Sequence, residues 1–111
     1  MIGIAARLRP GACAAELVEA GKVIEEAGFT TVEDLLHGFG RLYLPSVIGS
    51  ASRSLHPIPD LEIEAGMTVV IQPSVVTQDA GIGVQTGELL YVTATGAERL
   101  HTFDRGLGRL A

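Results

Sequence analysis

The sequence predicts an α+β domain, and three observations carry that expectation. Leu17, Ala20, Ile24 and Ala27 recur at helical spacing ahead of Gly28. Met67 to Ile71 is an unbroken apolar run between Gly66 and Gln72-Pro73, the mark of a strand covered on both faces. Ala94-Thr95-Gly96-Ala97 separates two further short runs as a hairpin turn.

Taken in order, Ile2 to Leu8 reads as the last two turns of a helix stopped by Pro10, whose ring and missing N–H cannot continue one. Cys13-Ala-Ala-Glu16 has the spacing of a capping box with cysteine in place of Ser or Thr. A helix is therefore expected from about residue 13 to 27, closed by Gly28. The β-branched and apolar residues from Phe29 to Phe39 predict one strand ending at the turn His37-Gly38-Phe39-Gly40. Residues 41 to 60 hold three prolines and four serines with little periodicity, so a long ordered loop is expected, and such loops are often functional. Gly81 to Gly87 is a glycine-rich approach to a strand from Glu88 to Thr93. The hairpin then returns through Glu98 to Phe103, and Asp104 to Ala111 is expected to form one helical turn.

With 111 residues the chain reads as a single domain spanning 1–111. Its composition, 47% hydrophobic and 19% charged, is that of a folded rather than a disordered chain. A net charge of −5 without any basic run argues against nucleic acid as a partner. The single cysteine, Cys13, cannot close an internal disulfide, which fits a reducing, cytoplasmic setting. No stretch approaches the roughly 18 apolar residues of a membrane span, and the start lacks the apolar core of a signal peptide.

Candidate chemistry centres on His37. The glycines after it let backbone approach closely, as a ligand site needs, although a lone buried histidine is more often a hydrogen-bonded core residue. Gln72 ends the apolar strand with its amide expected on the side of Thr68 and Val70. A buried amide has to be satisfied, here by loop backbone or by a ligand in the cavity that His37 faces. Gln85, Thr86 and Glu88 crowd the start of the next strand; Glu88 is a candidate acid or base, against the ordinary reading of a solvated strand-end glutamate. His56, between Leu55 and Pro57, either reaches into a cleft or stays exposed. Gly81 to Gly87 is not a dinucleotide fingerprint, because a strand rather than a helix follows it.

Four motifs in this order carry a resemblance. They are Arg9-Pro10-Gly11 before a helix with Glu16; His37-Gly-Phe-Gly40; Leu61-Glu-Ile-Glu-Ala-Gly66-Met67-Thr-Val-Val-Ile-Gln72-Pro73; and Gly83-Val-Gln-Thr-Gly-Glu-Leu-Leu-Tyr-Val-Thr93 with Gly96. Over nearly the whole chain this resembles the C-terminal half of the pita-bread fold shared by methionine aminopeptidases, Xaa-Pro aminopeptidases, prolidases and creatinase. The resemblance implies helices packed on a curved, mainly antiparallel sheet. It also implies half of a catalytic domain, truncated at its N-terminus, so that a missing N-terminal half or a second copy of the chain is expected to cover the open face.

A site is implied as well. Metallopeptidases of this kind hold two divalent cations with two Asp from earlier in the chain, the His of His-Gly-x-Gly and two Glu on later strands. His37 matches the histidine. The first Glu position falls on Gln72 and the second on Gly87, with Glu88 one place along and so on the opposite face unless a bulge intervenes. A second family histidine is replaced by Leu44, and the acidic residue after it by Pro45. Two dications rely on carboxylates for neutralisation, so neither a metal site nor a cofactor is expected in this chain. Creatinase, within the same fold, hydrolyses a C–N bond without metal through a histidine. The expectation is a hydrolase of the Xaa-Pro peptidase and creatinase kind, inactive as this chain alone, that takes a small peptide or small polar substrate. His37 and Glu88 are its catalytic candidates, and Gln72, Gln85 and His56 its substrate contacts. The alternative is a pseudoenzyme or an oligomerisation domain of the same fold.

Overall fold

Antiparallel pairing organises the chain into two sheets, with the second helix packed on a strand of the larger and the third on a strand of the smaller. The computed structural model describes residues 2–41, 43–53, 56–106 and 108. Among the described residues three helices come first: α1 (Ile2–Ala5), α2 (Ala14–Gly21) and α3 (Val23–Glu26). Eight strands follow: β1 (Thr30–Val32), β2 (Asp34–Phe39), β3 (Tyr43–Gly49), β4 (Thr68–Ile71), β5 (Ser74–Val76), β6 (Gly83–Gln85), β7 (Glu88–Val92) and β8 (Ala97–Arg99). One sheet has the order β3-β2-β4-β7-β8, the other β1-β5-β6, and every pairing in both is antiparallel.

The expected helix over 13 to 27 is two helices that break at Lys22. The residue before the break explains it. Glycine in a helix interior costs about 1 kcal/mol, yet Gly21 lets α2 lie close to β2, where a Cβ would stand 2.6 Å from Leu35 Cδ1 and force that side chain to shift. Close approach of α2 to β2 outweighs helix continuity. Cys13 does occupy the N-cap position, but its side chain makes no cap hydrogen bond; its thiol lies 3.9 Å from Glu16 Oε1 instead. The Cys13 side chain therefore does not cap α2, contrary to the capping-box expectation.

The single strand expected from Phe29 to Phe39 is likewise two, β1 and β2, in different sheets. Glu33 separates them with φ of 66°, a left-handed conformation that no strand continues through. Residues 41 to 60 are not all loop, since β3 occupies 43–49 as the edge strand of the larger sheet. Its proline hid it. The β2–β3 register jumps between His37↔Val47 and Gly38↔Leu44, so Pro45 falls in the irregularity, where no ladder N–H is asked of it. The hairpin of β5 and β6 was not expected either, and β8 ends at Arg99 rather than at Phe103. Asp104 to Gly106 form no helix; residues 107 and 109–111 of the expected tail turn lie outside the described residues.

Alternation along the larger sheet sorts its side chains cleanly. Leu36, Ile48, Val69, Ile71, Leu90 and Val92 are buried with Ile4, Leu8, Leu17 and Ile63 in the core beneath the helices. Each such side chain contributes roughly 1.5–3 kcal/mol by leaving water. The other face carries His37, Val70 and Leu89, and it is this face that matters for chemistry.

Candidate functional site

Register decides which residues meet. His37 lies opposite Val47 on one side and Val70 on the other, and Val70 lies opposite Leu89. Directly opposed residues share a face, and so do residues two apart on one strand. Gln72 therefore shares the face of Val70 and His37, and Gly87 that of Leu89. Two contacts support this extension beyond the strand ends: Gln72 N–H donates to Leu35 O at 2.9 Å, and a Cβ on Gly87 would lie 3.6 Å from Gln72 Cγ. His37, Gln72 and Gly87 thus line one face of the sheet.

His37 is 4% exposed. Its Nδ1 lies 2.8 Å from Gly38 O, and because a carbonyl only accepts, Nδ1 is the donor. Nε2 points toward Asp34, with Oδ2 at 4.0 Å. Asp34 escaped the sequence reading because strand alternation alone places a residue three positions away on the opposite face. The β2–β3 register shifts between Asp34 and Leu36, however, and the extra residue turns Asp34 back toward His37.

Glu88 is on the other side. It pairs with Ile71, the β4–β7 register runs without a shift, and the carboxylate is buried at 2% exposure on the face of Leu36 and Leu90. The solvated reading is overturned, because two arginines follow it inward. Arg105 donates from Nε to Oε1 at 3.0 Å and from Nη2 to Oε2 at 2.9 Å, and Arg99 Nε pairs with Oε1. Burial alone would push the carboxyl up. The Arg105 hydrogen bonds and charge, joined by Arg99, outweigh burial and hold it below the usual carboxylate range. A carboxylate held in this way is an anion at neutral pH. One signal for Arg99 was available in the sequence: the tight turn at Thr93–Gly96 sets Arg99 against Leu90, on the face of Glu88 and one strand over.

Gln85 belongs to the smaller sheet, where its Nε2 donates to Ser74 Oγ at 2.8 Å. His56 is exposed in the connection after β3.

Residues 2–94 match the family model of metallopeptidase family M24. The chain belongs to this family. No curated protein matches it. Among solved structures, it superposes on dipeptidase PepE from Mycobacterium ulcerans with a TM-score of 0.77 and 24% identity, over 96% of this chain and 28% of that one. The prolidase from Pyrococcus furiosus gives 0.75 and 25%, over 94% and 30%; methionine aminopeptidase from Rickettsia prowazekii gives 0.71 and 21%, over 88% and 46%. The chain thus spans between 28% and 46% of these three. The fold is the C-terminal half of the pita-bread fold. No helix among the described residues is long and apolar enough to cross a membrane.

The family implies divalent metal, and the residues can be tested against it. The face holds one imidazole with the Asp34 carboxylate 4.0 Å away, one neutral amide and a glycine, while Glu88 points away in ion pairs. Among the described residues no three His, Cys, Asp or Glu side chains stand close enough to hold a metal ion together. This donor set does not fit a pair of hard dications, which require several carboxylates.

Proposed function

We propose that this chain is part of a hydrolase domain of the Xaa-Pro peptidase and creatinase kind that carries a degenerate metal site. The observation that supports this is the shared face of His37, Gln72 and Gly87, with His37 the one titratable group among the three. On this reading the face borders the place of a small peptide or small polar substrate. His37 handles the proton and the Gln72 amide orients a carbonyl or an N–H. Residues outside these 111 complete the cavity, the chain alone is inactive, and it works in the cytoplasm. The face also presents exposed Val47 and Tyr91, which suits self-association or cover by another half.

A second reading has its own observation. Glu88, the other titratable candidate, is tied down on the far face, so a pseudoenzyme that keeps the fold without the chemistry is the competitor.

The test uses the whole chain. After equilibration with Mn2+, metal content is measured and Xaa-Pro dipeptide cleavage is followed, while the His37 ring is watched by NMR during dipeptide titration. Sub-stoichiometric metal, no cleavage and dipeptide-dependent shifts at His37 and Gln72 are expected. Absence of any shift selects the pseudoenzyme. A pair of tightly held cations with metal-dependent cleavage overturns both.

A further inference from the structure

A cleft of about 610 Å³ opens between β6 and the segment after β8, bordered by Val84, Thr86, Gly87, Arg99 and His101. Residues 100–106 form its other wall. All of them are exposed, Phe103 at 82%. Hydrophobic attachment scales with the apolar area removed from water, so burial does not hold this segment down.

Polar links do. Leu100 N–H donates to Leu89 O at 3.0 Å, where the hairpin ends. Beyond that point Arg105 forks onto Glu88, and Arg99 Nη2 donates to Phe103 O at 2.7 Å. Arg99 is itself paired with Glu88, so both routes end on one carboxylate. That carboxylate is buried while the arginines are about one-third exposed, at 33% and 37%. The asymmetry makes the sheet side rigid and the arginine side able to leave into water.

We propose that residues 100–106 form a strap latched to the sheet through Glu88, and that release of Arg105 opens the cleft beside Gly87 while the rest of the fold stays closed. Gly87, which adjoins Gln72, is the one residue of the candidate site that also borders this cleft, and the strap itself lies on the Glu88 side of the sheet. The latch does not depend on whether that site is catalytic. Its specificity comes from the planar guanidinium, which meets both carboxylate oxygens at once; an ammonium meets them as a point charge.

Sparse chymotrypsin on the native full chain, with cleavage sites mapped by mass spectrometry, tests this. Phe103 lies in the strap, whereas Phe29 and Phe39 lie in the body and are also partly exposed. Cleavage requires local opening, so its rate reports the open population. Arg105→Gln is expected to speed cleavage after Phe103 roughly tenfold, the weight of one charge-assisted contact, with a clearly smaller acceleration at the two body sites. Arg105→Lys is expected to fall between. An unchanged rate after Phe103 in Arg105→Gln overturns the latch. Equal acceleration at all three sites overturns the strap as a separate unit, because the clamp would then hold the whole fold.

Discussion

Replacing Glu88 by glutamine removes a buried charge while keeping shape and one acceptor. In the native chain the carboxylate receives three close guanidinium contacts from Arg99 and Arg105. Opposite charges about 3 Å apart attract by roughly 5 kcal/mol at an effective dielectric of 20, and taking Glu88 out of water cancels much of that. Hydrogen bonds to charged groups retain about 1.5–3 kcal/mol net. The arginines are partly exposed and rehydrate once released, so the figure sits low in that range, near 2 kcal/mol. For a domain of this size Tm falls by about 8 °C. Urea denaturation at pH 7, pH 5 and about pH 3 measures the difference.

The pH dependence carries the sign. Glu88 has a folded pKa below its ordinary value of 4.5, so its contribution is fully present above that value and is lost as pH falls through the folded pKa. Wild type and Glu88→Gln are therefore separated at pH 5 to 7, and the gap between them narrows as pH falls below the ordinary value toward and through the folded pKa. Stabilities equal within about 0.5 kcal/mol at pH 7 would refute the buried clamp. So would a gap that widened in acid.

Three further outcomes follow from the same geometry. Gly21→Ala gains about 1 kcal/mol of helix propensity but drives a Cβ to 2.6 Å from Leu35 Cδ1; with Leu35 only 1% exposed, overpacking of roughly 1–3 kcal/mol wins, and chemical denaturation shows a net loss. Glu33→Gly relieves a left-handed side-chain-bearing residue and raises stability by about 0.5–1 kcal/mol, a gain that disappears if Glu33 is not at positive φ. The double variant Gln72→Glu with Gly87→Glu places two carboxylates on the His37 face. They repel by up to about 3 kcal/mol at 5 Å, so the melting point drops and Mn2+ restores it; a double variant indifferent to Mn2+ in thermal melts contradicts the shared face.

Residue order sufficed for the parts where local physics speaks without help. The apolar run of β4 and the hairpin after β7 were readable because alternation and turn chemistry act over a few residues, whereas His37-Gly38-Phe39, expected as a turn, continue β2. The family was readable for the same reason, since its motifs are short and ordered along the chain. Gln72 and Gly87 stood out as departures from carboxylates, and the even spacing of strands already set Glu88 on the opposite face from Gly87. Edge strand β3 was not readable, because Pro45 looks like a strand breaker until the irregularity that accommodates it is known.

What the amino-acid order determined by itself is the family, the antiparallel plan and the uncharged residues at positions 72 and 87. Only the tertiary structure decided what surrounds the two titratable candidates. A register shift in β2 brings Asp34 beside His37, and a segment from the far end of the chain brings Arg105 onto Glu88. Both depend on contacts between residues distant in sequence or on a single extra residue in a ladder. Side-chain alternation cannot foresee them, because one inserted residue reverses the face of everything beyond it.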